Sequence, residues 1–172
     1  RMNARTLRQI VGVPASLHAG ASLIAAKTAV VLIDYQNEYR SGPLALPDEP
    51  ASSNAARQLR AWAERAGIAV IHVLHRAPAT SSIFAPDSVG ATPIDGLAPA
   101  EGEAVITKHL PSAFHGTGLA EVLQAQGVET LLIAGYMTHN CVDSTAREAF
   151  HRGYRVGMLA DACASRDLPG PD

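Results

Sequence analysis

One phrase occurs three times in this chain and restricts its fold more than any other feature: an amphipathic helix, a glycine, then a short apolar strand. Residues 53–66 (SNAARQLRAWAERA) place Ala55, Ala56, Leu59, Trp62, Ala63 and Ala66 on one helical stripe. Gly67 stops that helix, and Ile68–Leu74 (IAVIHVL) reads as a strand. Leu119, Val122 and Leu123 line a second helix, Gly127 ends it, and Thr130–Ala134 (TLLIA) follows as a strand. Val142, Ala146, Ala149 and Phe150 mark a third, Gly153 stops it, and Arg155–Leu159 (RVGML) is the last strand. Thr28–Ile33 (TAVVLI) has the β-branched richness of a strand buried on both faces, and Ala104–Thr107 (AVIT) reads as a shorter one. Helices alternating with strands imply right-handed crossovers. The prediction is an α/β fold: a doubly wound, mainly parallel sheet with helices on both faces, a three-layer α/β/α sandwich.

Composition narrows the class of partner. At 172 residues with 47% hydrophobic and 17% charged side chains, the chain reads as a single globular domain over residues 1–172 and not as a disordered one. A formal charge of −2 gives no electrostatic case for nucleic acid or an anionic membrane surface. No apolar run approaches the roughly 20 residues needed to span a bilayer. Two cysteines, Cys141 and Cys163, form no disulfide framework, so a reducing, cytoplasmic setting is expected. Residues 1–27 read as a surface arm: Pro14, His18 and Lys27 interrupt what would otherwise imitate a signal peptide. The proline-rich loop from Arg76 to Glu103 is too long for a simple connection and is expected to shape a binding site, together with residues 35–47.

In an open parallel sheet, ligands bind beyond the carboxyl ends of the strands. Asp34 follows the first strand, Lys108 the strand at 104–107, and Tyr136-Met137-Thr138-His139-Asn140 leads from the strand at 130–134 to Cys141. Each has an ordinary structural reading, as a turn cap, a solvated lysine and an inert buried thiol. Their convergence on one edge gives the chemical reading. Cys141 in the first turn of a helix, near the Lys108 ammonium, is expected to favour thiolate. Asp34 would then take and return a proton, and backbone N–H groups over 136–141 would hold an oxyanion.

Other positions carry weaker expectations. Tyr35, Tyr39 and Tyr136 are placed to stack on a planar substrate, with Phe84 as a further aromatic wall. Gln36 neighbours Asp34 and would position it or a water. Ser112 and Phe114 lie just past Lys108, and His139 lies near Cys141, ranked behind Asp34 as a base. Thr117 is expected to cap the helix that follows. Gly116-Thr117-Gly118 does not complete a dinucleotide fingerprint, because position 121 is glutamate. Cys163 and Asp161, after the last strand, are expected to be structural, the aspartate satisfying turn amides. Strand alternation puts His72 and His75 on opposite faces, so no metal is expected between them.

The segments VVLIDYQNEY, VITKHLPSAFHGTGL and LLIAGYMTHNCVDSTAREAFHRGYRVGMLADACASRDLP closely resemble the isochorismatase-like cysteine hydrolases, in the family's order and from about Ala29 to Pro169. The resemblance implies an Asp34–Lys108–Cys141 triad, a cis peptide at Tyr136–Met137, and an oxyanion hole from the N–H groups of Met137 and Cys141. It implies cofactor-free hydrolysis of a C–N bond in a small amide or ureido compound through a thioester, and association into homo-oligomers. The rival within the family is acid-catalysed vinyl-ether cleavage, which typically lacks the cysteine; a rival outside it is a thiol protein that senses oxidants or binds a partner. Nicotinamidases of the family carry an Asp-x-His metal cluster after the second strand, where this chain reads HVLHRAP. Relatives usually continue beyond SRDLP into another helix, which is expected to be missing here.

Overall fold

The computed structural model describes residues 23–167. Five strands form one sheet: β1 (Thr28–Ile33), β2 (Ala69–His75), β3 (Ala104–Lys108), β4 (Thr130–Tyr136) and β5 (Arg155–Ala164). Their order is β3-β2-β1-β4-β5, and every pairing is parallel. Among the described residues three α-helices accompany them: α1 (Glu49–Ala66), α2 (Leu119–Ala125) and α3 (Asp143–His151). The chain leaves β1 toward β2 and β3, then returns to β4 on the other side of β1. The topological switch point therefore lies between β1 and β4.

Strand alternation builds the three layers. Val30 and Leu32 face Ala56 and Ala63 of α1. Ala29, Val31 and Ile33 face Leu119 and Leu123 of α2 and Ala146 and Ala149 of α3. All six β1 residues are buried, as a strand covered on both sides requires. Each fully buried Val, Leu or Ile contributes about 1.5–3 kcal/mol, so this central strand anchors the core.

Several boundaries differ from the sequence expectation. Helix α1 begins at Glu49, ahead of the predicted Ser53, with Pro50 in its first turn, where a missing N–H costs nothing. Trp62 and Phe150, read as stripe residues, are 37% and 53% exposed, because Ala56, Ala63 and Ala149 already make the close contacts with the sheet. Strand β5 continues to Ala164, so Cys163 and Asp161 lie inside a strand and not after it. Asp161 is exposed there and makes no side-chain hydrogen bond to turn amides among the described residues. The extension is possible because pairing between β4 and β5 shifts register between Ile133 and Gly135 and then resumes with Gly135 opposite Cys163. Gly135 has φ +147°, and a Cβ there would lie 2.1 Å from the Ile33 carbonyl oxygen. Only glycine permits this approach, which re-aims the backbone before Cys141. Of the expected arm, Ala25–Lys27 forms a 3-10 turn entering β1, and Lys27 pairs with Glu129 at 2.6 Å. Residues 1–22 and 168–172, including the expected end of the chain, lie outside the described residues.

Candidate active site

Three strand ends bring Asp34, Lys108 and Cys141 together. Asp34 directly follows β1 with φ +55°, and its backbone N–H donates to the Val73 carbonyl at 2.8 Å. Lys108 closes β3, and β2 lies between it and β1, a separation on the order of 10 Å. Lysine's four-carbon stem crosses that distance. Its Nζ lies 2.8 Å from Asp34 Oδ2, 3.3 Å from Cys141 Sγ and 3.2 Å from His75 Nδ1. Asp34 and Lys108 are wholly buried, and Cys141 is 6% exposed.

Cys141 does not sit in an ordinary first helical turn. Thr138–Val142 form a π-helical turn ahead of α3, and the Val142 N–H donates to the Met137 carbonyl at 3.3 Å. Such wide turns often occur at functional sites. The Tyr136–Met137 peptide preceding it is cis.

The electrostatics correct one expectation. Burial, followed by the adjacent Asp34 charge, pushes the Cys141 thiol up to about 12, and Lys108 only partly offsets this. The resting group at neutral pH is thus a thiol and not the thiolate expected from a helix start. Burial also raises the Asp34 carboxyl, against the pull of Lys108. Lys108 is the carboxylate's ion-pair partner, and the Cys141 thiol and the His75 backbone N–H also lie near enough to favour its charged form. A proton acceptor of raised basicity therefore stands with a protonated thiol around one ammonium.

Strand-end reasoning applied to β2 would also have found His75, which sequence analysis weighed only as a metal ligand. Burial, then Lys108, pushes its imidazole down to about 4. An ammonium can only donate, so Nδ1 accepts from Lys108 and the proton of the neutral ring resides on Nε2. A pH dependence follows. In the unfolded chain the imidazole takes a proton near 6.5, whereas in the fold it resists until about 4. Its contribution is present above 6.5 and is lost as pH falls toward 4, on the order of 1 kcal/mol after allowing for partial exposure. His72 is shifted in the same direction by burial, and Asp34 works in the opposite sense. Comparing urea unfolding of the native chain and His75→Gln at pH 7 and pH 5 isolates the imidazole. The variant should lose less stability on acidification; equal losses would refute the assignment.

The remaining candidates divide clearly. Tyr35, Tyr39, Tyr136 and Phe84 form one buried aromatic group, with ring centroids 4.8 Å (Tyr35–Tyr136), 5.2 Å (Tyr39–Tyr136) and 5.6 Å (Tyr39–Phe84) apart. Phe84 also packs edge-on against His75 at 4.9 Å. Gln36 spends its amide on backbone: Nε2 donates to the His75 and Ala91 carbonyls at 3.0 and 2.8 Å, and Oε1 accepts from the His75 N–H at 2.8 Å. Its side-chain amide ties β2 to the long loop and makes no bond to the Asp34 carboxylate, while its backbone N–H donates to the Asp34 carbonyl at 2.7 Å. Ser112 donates to Glu148, and Phe114 stacks on Tyr154 with Arg152 4.9 Å over its ring. Both serve the α3 side of the core. Thr117 accepts from the Leu119 N–H at 3.2 Å, but the N-cap of α2 is Gly118, so Thr117 stands one residue ahead of the expected capping position. His139 is exposed and bonded to Ser165, with no hydrogen bond to the thiol among the described residues. His72 pairs with Glu103 at 2.8 Å, and Glu103 also binds Arg60 of α1. Among the described residues no group of three or more His, Cys, Asp and Glu is arranged to hold a metal ion.

A doubly wound α/β/α protein with its reactive groups gathered at the carboxyl ends of its strands is the class that fold and site define. Residues 28–170 match the Isochorismatase domain family. The chain belongs to the isochorismatase family. It is 36% identical to the secreted isochorismatase effector Isc1 of Verticillium dahliae, over 97% of this chain and 85% of that protein. The crystal structure of an isochorismatase from Pseudomonas putida superposes with a TM-score of 0.86 at 34% identity, covering 98% of this chain and 84% of that one. N-carbamoylsarcosine amidase from Thermoplasma acidophilum superposes with a TM-score of 0.77 at 31% identity, covering 83% and 87%. No helix among the described residues is long and apolar enough to cross a membrane.

Proposed function

We propose that this protein hydrolyses a C–N bond, amide or ureido, in a small molecule through a thioester on Cys141. The observation that carries the reading is the single ammonium touching both a buried carboxylate and a buried thiol, at 2.8 and 3.3 Å. A vinyl-ether hydrolase needs the acid but has no use for the sulfur. Likeness to a protein named as an amidase adds support.

The Cys141 S–H proton passes to Asp34 as sulfur attacks the carbonyl carbon. Lys108 compensates the charge that moves between them. The Met137 and Cys141 N–H groups receive the oxyanion. Asp34 then returns the proton to the departing nitrogen, and amine or ammonia leaves an acyl thioester. Water, deprotonated by Asp34, adds to the thioester, and the acid departs as the thiol is re-protonated. No cofactor or metal enters this scheme. The free thiols of Cys141 and Cys163 suit a reducing, cytoplasmic setting, and self-association into a homo-oligomer belongs to the same reading.

Rapid acid quench of the protein mixed with a panel of primary amides and ureido acids, followed by intact-mass measurement, tests it. A substrate should add its acyl mass to a peptide containing Cys141. Turnover with no acyl adduct at any quench time, and with the adduct absent from slow substrates as well, would overturn the thioester.

A further inference from the structure

The Lys108 ammonium belongs to a wholly buried residue and carries three N–H donors. Three acceptors stand around it: Asp34 Oδ2 at 2.8 Å, Cys141 Sγ at 3.3 Å and His75 Nδ1 at 3.2 Å. The proposed chemistry uses the first two. The third belongs to the residue that closes β2 and is paired in register with Lys108 itself. Registered partners on neighbouring strands share a face, so the imidazole stands beside the lysine stem where that stem crosses β2 toward Asp34. Burial and the neighbouring ammonium keep the ring unprotonated at neutral pH, which leaves Nδ1 an acceptor.

Several contacts hold this residue in place. Its backbone N–H donates to Gln36 Oε1 at 2.8 Å, and its carbonyl accepts from Gln36 Nε2 at 3.0 Å. The Phe84 ring packs edge-on against the imidazole, with centroids 4.9 Å apart. Phe84 has φ +54°, a conformation that a bulky residue keeps only where its surroundings impose it. Its N–H donates to Glu38 Oε1 at 2.9 Å, and its carbonyl accepts from the Ala77 N–H at 3.0 Å. Glu38 is buried and lies so close to Gly90 that a Cβ there would stand 2.1 Å from its Oε1. His75 also lines a cleft of about 480 Å³, together with Arg76, Ala77, Pro78 and His109.

We infer that His75 is a positioning residue: by accepting the ammonium's third N–H it keeps the other two on Asp34 and Cys141, while Phe84 and Glu38 fix the imidazole for that task. Without an acceptor there, one buried N–H would go unmade, and the ammonium would turn to share two acceptors among three donors. Asp34 and Cys141 would then be held less well for proton transfer, a loss felt in the chemical step. The inference rests on the thioester reading and adds to it a residue that acts through Lys108.

The test compares His75→Leu, which removes the acceptor, with His75→Asn, whose Oδ1 can stand where Nδ1 does. On an amide turned over by the native chain, His75→Leu should lower kcat at least about tenfold and leave KM within about threefold. His75→Asn should bring kcat back to within about threefold of native. Amino-selective NMR of the nitrogen-labelled protein reads the ammonium without turnover. Its hydrogens should exchange with water at least about tenfold faster in His75→Leu than in the native chain or His75→Asn. If circular dichroism shows that His75→Leu does not fold, the native imidazole decides through its tautomer. A proton on Nε2 with Nδ1 hydrogen-bonded supports the role, and a proton on Nδ1 overturns it. A kcat for His75→Leu near native, or one that His75→Asn does not improve, overturns the positioning role and leaves the thioester intact. Equal exchange in the three proteins does the same. Absence of any acyl adduct at Cys141 defeats the thioester reading, and the exchange rates then decide His75 alone.

Discussion

Cys141→Ala should abolish amide hydrolysis, lowering kcat by on the order of 10⁴-fold or more while the protein stays folded. In the proposed thioester route the sulfur bonds to the acyl group, and nothing else in the buried trio replaces it: Asp34 and Lys108 remain paired at 2.8 Å but supply no nucleophile of their own. Removing one small buried sulfur costs stability only on the order of 1 kcal/mol, so lost activity cannot be traced to unfolding. The same variant separates the rival chemistry. Vinyl-ether cleavage by Asp34 acting as an acid would survive it largely intact. The assay is initial rates on an amide turned over by the native chain and on isochorismate, with circular dichroism as the fold control. Cys141→Ala that retains amide turnover within a few-fold of the native chain refutes nucleophilic catalysis.

The second large effect concerns stability. Lys108→Met should destabilise the fold by about 3–5 kcal/mol at pH 8, because it strands a wholly buried carboxylate with no countercharge. Lys108 is the cation that pairs with Asp34, at 2.8 Å, and the neighbouring Cys141 thiol and His75 backbone N–H carry no charge to replace it. The cost should depend on pH with a definite sign. Burial raises the Asp34 carboxyl even in the native chain, and losing Lys108 raises it further. A folded carboxyl that holds its proton more tightly than the unfolded one contributes stability below about 3.9, the ordinary aspartate value, and loses it as pH rises through the folded value. The deficit of Lys108→Met should therefore shrink on going from pH 8 to pH 4.5, read by urea unfolding at both. Adding Asp34→Asn to Lys108→Met should recover much of the pH 8 loss. Equal deficits at both pH values, with no rescue in the double variant, would mean that the buried ion pair is not what Lys108 supplies.

The sheet was legible because its strands carry their own signature. TAVVLI, IAVIHVL and TLLIA are apolar on both faces, and each helix before a strand ends in a glycine, so class and strand positions follow from local pattern. The reactive edge was legible for the same reason: Asp34 and Lys108 directly follow apolar runs, Cys141 follows one across the short 135–140 segment, and parallel strands all end on one side. Helix α1 was read short because its first residues, including Pro50, carry no apolar stripe. The length of β5 was hidden because its continuation depends on the Gly135 irregularity in a neighbouring strand. Gln36, Ser112 and His139 stand at promising positions, yet their hydrogen bonds go to the His75 and Ala91 backbone, to Glu148 and to Ser165.

By itself the sequence determined the α/β class, the order of elements along the chain and which residues could carry chemistry, since periodicity and residue type are local properties. The tertiary structure decided the strand order that sets the switch point beside β1, and the reach of Lys108 across β2 to Asp34. It also decided that the Cys141 thiol stays protonated at rest and that His75 and Arg76 face a cleft at the site's edge. Those outcomes depend on burial and on distances between groups far apart in the chain. Desolvation and Coulomb energies are set by what surrounds a charge in space, and no local pattern encodes that.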